Sequence, residues 1–334
     1  MILLDIKNLT LEIESNGVLV KALDKASLTL EEGEIRSLVG ESGSGKSLIV
    51  KAISGALPPR WIVTADRMTW RGQNLLTMNR AERRKIMRRD IAVVFQDPMA
   101  ALDPSSTLKE QLTESIPEEF VEGRWFWQKR RSRLDIARSL LHKVGIKDTQ
   151  YCMDHYAHEL PLDICQKFMI AMALVSQPTV LIADDPTRGM ETNTKRQILS
   201  LFKNLNKTRN LSILFVSHDL VAISSMADKI TVLYCGQTVE DGPFQSVRKK
   251  PFHPYTKALM DSAPSFSPDL QPKSALIALG GTIPTLQHLP IGCRLGPRCP
   301  RAQKKCVETP VSRKINQHTY RCHFPMHLDD KGII

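Results

Sequence analysis

The stretch "GESGSGKS", Gly40–Ser47, decides how the rest of the chain is read. It follows "GEIRSLV", an apolar run of strand character, and opens a helical pattern from Lys46 to about Ser54 that stops at Gly55 and the Pro58-Pro59 pair. A glycine-rich turn between a strand and a helix lets successive backbone N–H groups wrap a phosphate chain. In such a turn Lys46 reaches the β- and γ-phosphates and the Ser47 hydroxyl ligates Mg2+. Gly40, Glu41, Ser42, Gly43, Ser44, Gly45, Lys46 and Ser47 are therefore the expected nucleotide-contact set.

Three later strand ends carry polar residues. "VLIADD" is an apolar run ending in Asp184 and Asp185, and Asp184 is placed to hold magnesium through water. "VVFQDP" offers Gln96 and "FVSHD" offers His218. Alone, a strand ending in Asp is ordinary turn chemistry, but following a phosphate loop it is not; a lone Gln or His is more often a satisfied polar group than a catalytic one.

Composition sets the frame. The chain has 334 residues, 42% hydrophobic and 24% charged, as expected of a folded protein without extended disorder. The first apolar run meets Asp5, and no later window holds the roughly 18 apolar residues that a membrane span needs, so neither an export signal nor a spanning helix is expected. A net charge of +11 suits a nucleotide, a nucleic acid or anionic lipid. The excess gathers in "RAERRKIMRR" (Arg80–Arg89) and "RWFWQKRRSR" (Arg124–Arg133). Both read first as solvated helix faces, but Trp125, Phe126 and Trp127 beside the second suit a contact surface.

Of seven cysteines, Cys293, Cys299, Cys306 and Cys322 lie close together near the end. Without an export signal, disulfides are not expected, which leaves a metal site or reduced thiols. Their spacing does not fit the paired C-x2-C pattern of zinc ribbons.

The first forty residues read as strands, and "SRLDIARSLLHKVGI" sets Leu134, Ala137, Leu141 and Val144 on one helical stripe with Gly145 as C-terminal cap. "KITVLYCGQTVEDG" reads as a hairpin, and past Pro251 the chain becomes loop-rich. The expected fold class is α/β: a P-loop NTPase domain over residues 1–258, a helical subdomain let into it at about 98–178, and a cysteine-containing extension over 259–334.

In order and spacing, the phosphate loop, Gln96, "LIADDPT" and "SHD" resemble the ATPase subunits of ABC transporters from Leu3 to about Gly242. "HPYTKALMDSAP" (His253–Pro264) and "IGCRLGPRCPRAQKKC" (Ile291–Cys306) are similar to the oligopeptide and dipeptide branch of that family. Within that branch the likeness is to a peptide-uptake ATPase linked to resistance against antimicrobial peptides. The resemblance implies ATP and Mg2+ as cofactors. It puts magnesium sensing and coupling on Gln96, γ-phosphate contact on His218, the general base on Asp185, and the adenine-stacking place on Ile13. It implies that Cys293, Cys299, Cys306 and Cys322 hold an iron–sulfur (4Fe–4S) cluster. The implied partners are two inner-membrane permease subunits and a second ATPase subunit, with peripheral membrane association on the cytoplasmic face of the bacterial inner membrane and no nucleic acid.

Four features depart from the family pattern. Where an "LSGGQ"-type signature would present a hydroxyl and glycines to the partner's nucleotide, this chain has Leu160, Pro161, Leu162 and Asp163, with Gln166 further on. Asp163 is expected to cap the helix that follows. Its charge about 4 Å from a phosphate would repel by roughly 4 kcal/mol at an effective dielectric of 20, more than a cap contributes. Asp185 is one methylene shorter than the usual glutamate base, no aromatic residue precedes Trp61, and Glu191 replaces the usual aspartate of the dimer-contact loop. A homodimer would combine the weak signature with the short base in both sites, whereas a heterodimer would separate them. One rival reading is an ATP-sensing regulatory subunit. Another is a soluble ABC ATPase acting on nucleic acid or ribosomes, favoured by the basic runs and opposed by the tail.

Overall fold

The computed structural model describes residues 1–15, 17–262 and 279–327. The chain begins with β1 (Ile2–Ser15), β2 (Val18–Glu31), β3 (Ile35–Val39), α1 (Lys46–Ser54), β4 (Trp61–Thr64), β5 (Arg67–Trp70) and β6 (Gln73–Asn74). Next come α2 (Arg80–Arg89), β7 (Ile91–Val94), α3 (Pro98–Ala101), α4 (Leu108–Ser115), α5 (Phe126–Lys143), α6 (Thr149–Met153), α7 (Leu162–Leu174), β8 (Val180–Asp184) and α8 (Thr192–Arg209). It finishes with β9 (Ser212–Ser217), α9 (Leu220–Met226), β10 (Lys229–Tyr234), β11 (Gln237–Pro243), α10 (Phe244–Lys249), α11 (Pro254–Asp261), β12 (Arg313–Ile315) and β13 (His318–Tyr320). Two units divide these elements: Met1–Met78 with Phe215–Ile334, and Asn79–Leu214.

The first unit holds an antiparallel sheet in the order β2-β1-β5-β6, with β4 also on β1. Apolar residues alternate in β1 and β2, and Leu9, Leu11, Leu23 and Leu30 on their inner face are fully buried. In the same unit β3 runs parallel to β10, which turns back antiparallel as β11, followed by β13 and β12. All five residues of β3 are buried, as a strand covered on both faces requires. The expected hairpin is present: Tyr234 faces Gln237 across the two-residue turn Cys235-Gly236, whose φ angles of 43° and 78° suit the twist of the strands.

In the second unit β7 and β8 pair in parallel, Ile91 opposite Val180 and Val94 opposite Ala183. Helices α3 to α7 occupy the chain between them. The stripe expected on α5 buries Ala137 and Leu141 fully and Val144 nearly so, leaves Leu134 half-exposed, and ends at Gly145 with φ 84°. In α7 every residue from Cys165 to Ala171 is buried, so this helix is wrapped nearly all round.

In the tail, α11 begins with Pro254 in its first turn after His253, whose ring nitrogen accepts the Tyr255 N–H at 3.2 Å. Ala263 and Pro264, the end of the tail motif quoted above, lie outside the described residues, as does the whole stretch from 263 to 278.

Candidate functional site

Each unit carries part of the expected set. The first holds the phosphate loop, Ile13, His218 and the cysteine-rich tail; the second holds Gln96, Asp184, Asp185 and the signature positions.

The phosphate loop is built by strand β3 ending at Val39 and helix α1 starting at Lys46. Between them Gly43 and Gly45 take φ angles of 78° and 104°, open to glycine and strained for other residues. Gly40 is required for space: a Cβ there would stand 2.2 Å from the Leu233 carbonyl oxygen and 2.7 Å from Ser44 Oγ. Lys46 is buried, and its ammonium donates to the carbonyls of Gly40 at 2.8 Å and Glu41 at 2.9 Å. The loop thus holds its cation with its own backbone. Ser47 is half-buried in the first helical turn, and Ser42 and Gly43 are exposed at the tip.

The loop is also tied to the rest of its unit, which sequence reading missed. The Gly236 N–H donates to the Ser44 carbonyl at 2.8 Å, and the Tyr255 hydroxyl accepts the Glu41 N–H at 2.8 Å. From the tail, Arg298 forms a two-pronged pair with Glu41 at 2.9 and 3.2 Å and lies over the Tyr234 ring. The Glu41 carboxylate holds the Arg298 guanidinium charged well above its ordinary range, and burial pushes the Tyr234 phenol up to about 12. The neighbouring tail arginine, Arg294, donates to the Cys235 carbonyl and pairs with Asp24 at 3.2 Å. The one available signal was a glutamate in a loop meant for anionic phosphates, a charge that calls for a cation.

Ile13 stands half-buried in β1, and its cross-strand partner in β4 is Trp61. The indole absent from the sequence neighbourhood of Ile13 is thus placed beside it by strand pairing. Exposed His218 follows β9 between Ser217, whose hydroxyl accepts the Asp219 N–H at 3.1 Å, and Asp219, which caps α9 by accepting from Val221 and Ala222.

In the second unit β8 delivers Asp184 and Asp185, both buried. Asp185 has φ 45°, a left-handed conformation that aspartate adopts more readily than longer side chains do. Gln96 is half-buried two residues beyond β7, ahead of Asp97, which caps α3 through Met99 and Ala100.

The signature helix corrects one expectation. Asp163 does not cap α7: Pro161 holds the N-cap position and Asp163 lies inside the first turn. There its carboxylate stands 3.7 Å from the buried Lys167 ammonium, one helical turn on. Proline without a donor suits the helix start, and the acid still complements the helix dipole. Leu162 is exposed, while the buried Gln166 amide nitrogen has no hydrogen-bond partner among the described residues.

The four tail cysteines carry no disulfide. Burial raises Cys293, Cys299 and Cys322, the last to about 12, and each of these three is raised further by charge on other members of the set. The thiols are neighbours. Among the described residues, however, no three His, Cys, Asp or Glu side chains are gathered into a group that could hold a metal ion.

Comparison with known proteins agrees with this geometry. Residues 23–188 match the family described as "ABC transporter", and residues 239–306 the "Oligopeptide/dipeptide transporter, C-terminal region". The "Peptide transport system ATP-binding protein SapD" of Escherichia coli O6:H1 is 50% identical over 98% of this chain and 99% of its own length. The protein of the same name from Haemophilus influenzae is 46% identical over 100% of this chain and 95% of its own. The "Dipeptide transport ATP-binding protein DppD" of Escherichia coli K12 is 36% identical over 99% of both. A solved post-hydrolysis dimer of the ATP-binding cassette MJ0796, bound to ADP and Pi, superposes with a TM-score of 0.61 at 25% identity, covering 72% of this chain and 98% of that one.

Proposed function

This chain belongs to the ATP-binding subunits of ABC transporters, in their oligopeptide and dipeptide branch, and on that premise we propose that it drives a peptide import system that contributes to resistance to antimicrobial peptides. The observation that carries the reading is the phosphate loop with Lys46 held on the carbonyls of Gly40 and Glu41. On nucleotide binding that ammonium would exchange loop acceptors, the two carbonyls among them, for phosphate oxygens. No helix among the described residues is long and apolar enough to cross a membrane. The likeness to peptide-transport ATP-binding subunits supports a peripheral place at the inner membrane, on two permease subunits.

The loop from Gly40 to Ser47 holds the phosphates through backbone N–H groups other than that of Glu41, which Tyr255 accepts, and the adenine rests on Ile13 with Trp61 beside it. Magnesium, which neutralises phosphate charge, would be held by Ser47, Gln96 and Asp184. His218 contacts the γ-phosphate. Asp185 orients the attacking water and takes its proton, from a carboxylate one methylene short of the usual reach. The signature offers the partner's nucleotide a proline, an exposed leucine and a carboxylate already paired with Lys167. Turnover by this chain alone is therefore slow, and an obligate partner ATPase with an intact signature and base completes the working pair. A regulatory subunit that senses ATP is the second reading, favoured by the same two residues, Asp163 and Asp185.

The tail cysteines are the set that would hold a four-iron four-sulfur cluster, whose usual ligands are four thiolates. Among the described residues no group of three such side chains is gathered to hold a metal, and no step depends on the cluster. Iron and sulfide analysis of anaerobically purified protein decides the matter, since finding neither removes the cluster.

The function is tested by ATP turnover and nucleotide affinity measured on one preparation of the chain alone, then with the partner ATPase. Binding without appreciable turnover, restored by the partner, is expected. Rapid turnover alone overturns the paired reading, and absence of nucleotide binding overturns the function itself.

A further inference from the structure

From Glu122 to Arg131 every residue is exposed, and the chain there reads "EGRWFWQKRR". Trp125, Phe126 and Trp127 are 56%, 75% and 64% exposed, and the two indoles stack in parallel, centroids 5.4 Å apart. A depression of about 680 Å3 adjoins them, lined by Arg124, Phe126, Lys129, Arg130, Arg133 and Arg138 among others. The two carboxylates on its wall are engaged: Glu118 pairs with Lys129 and Arg133, and Glu110 accepts the Thr107 N–H at 2.9 Å. Arg124, Arg130 and Arg131 have no carboxylate partner among the described residues, and the buried Nε of Arg133 has no acceptor.

We propose that this face binds an anionic phospholipid surface directly, with the three rings in the headgroup layer and the guanidiniums on lipid phosphates. Indole rings beside arginines are what a membrane–water boundary selects, because one end of each ring is apolar and the other donates a hydrogen bond. Basic side chains add attraction to anionic lipid. A nucleic-acid strand fits less well. The facing sides of the two indoles are already stacked on each other, and the exposed Glu119 and Glu122 interrupt a continuous cationic track.

The test is flotation of the full chain with vesicles of phosphatidylcholine alone or mixed with phosphatidylglycerol, read also as a blue shift of tryptophan emission. At least tenfold stronger partition to the anionic vesicles is expected, unaffected by millimolar inorganic phosphate. Trp125→Ser with Phe126→Ser and Trp127→Ser should abolish binding, and Arg130→Glu with Arg131→Glu should abolish the preference for anionic lipid. Neither set should alter ATP affinity. Equal binding to both vesicles, competition by free phosphate, or binding of single-stranded RNA with none to vesicles would overturn it.

A second observation stands in the other unit. We infer that Arg298 is a positioning residue for the phosphate loop, so that the tail sets nucleotide affinity; this rests on the ATP-binding reading. Arg298 fixes the Glu41 side chain at two points while Tyr255 fixes the Glu41 N–H, and the carbonyl of the same residue holds Lys46. Tail, loop and catalytic lysine thus meet on one residue. Without Arg298, the Glu41 carboxylate is left to face incoming phosphates. Arg298→Gln should weaken Mg-ATP binding about tenfold and remove most of the rise in Tm that Mg-ATP gives, with little change in the ligand-free Tm. Glu41→Gln in the same chain should restore most of the affinity, because it removes the uncompensated charge. Unchanged ATP affinity in Arg298→Gln, or no rescue by Glu41→Gln, overturns this inference. Absence of binding by the unsubstituted chain overturns the ATP reading instead.

Discussion

Asp185 is where chemistry and backbone pull in different directions. Its φ of 45° favours a short polar side chain, while proton abstraction favours the longer glutamate. Asp185→Glu is expected to raise turnover, since about 1 Å of misplacement can cost on the order of a hundredfold. An unchanged rate in a phosphate-release assay would assign the slow step elsewhere. Lys46→Ala should abolish Mg-ATP binding in a calorimetric titration, because no other ammonium is held on the loop carbonyls among the described residues. The phosphate loop was fully legible in the sequence, since strand, glycines, lysine and helix are contiguous there. Trp61 beside Ile13 and Arg298 on Glu41 were not, because strand pairing and tail docking join positions far apart in the chain.

Helix ends show what single residues contribute to whole elements. Glu191 occupies the N-cap of α8 without a side-chain hydrogen bond. Glu191→Asp should supply the missing acceptor and raise stability by about 1 kcal/mol in urea unfolding. At α11 the cap is His253, whose Nδ1 accepts a backbone N–H and so must stay unprotonated. Burial holds this imidazole down at about 3, against 6.5 in an unfolded chain. Between those values the unfolded chain binds the extra proton. The stabilisation is therefore complete above about pH 6.5 and is lost as pH falls towards 3. Nearby Glu240 accepts the His253 N–H and pairs with His318, so other groups contribute to acid sensitivity. His253→Asn keeps a capping side chain and removes the titration. It should reduce the stability lost between pH 7.5 and 5 by about 2 kcal/mol. The expected Asp163 cap failed for a reason of the same kind: the proline two residues earlier takes the N-cap position and moves the acid inside the helix.

At the scale of the whole subunit, the peptide-transport reading makes the signature the limiting feature. Pro161→Ser, Leu162→Gly and Asp163→Gly together should restore a hydroxyl and open backbone N–H groups at the start of α7. With Asp185→Asn added to block hydrolysis, ATP should then drive this chain into homodimers by size-exclusion chromatography, which the natural signature should not allow. Monomers in both cases would place the defect outside the signature.

The turn at Cys235-Gly236 has a consequence for the order in which the subunit is made. Gly236 donates to Ser44 of the phosphate loop and accepts from Asp24, and Arg294 closes on the Cys235 carbonyl. A Cβ on Gly236 would lie 2.1 Å from the Ala22 carbonyl oxygen, so the fit leaves no slack. At ribosomal rates of 5–20 residues per second, the turn is synthesised roughly 10–40 s after the loop it completes. A nascent chain therefore carries an unfinished phosphate loop until the turn at Cys235-Gly236 has been made, well past the middle of its synthesis.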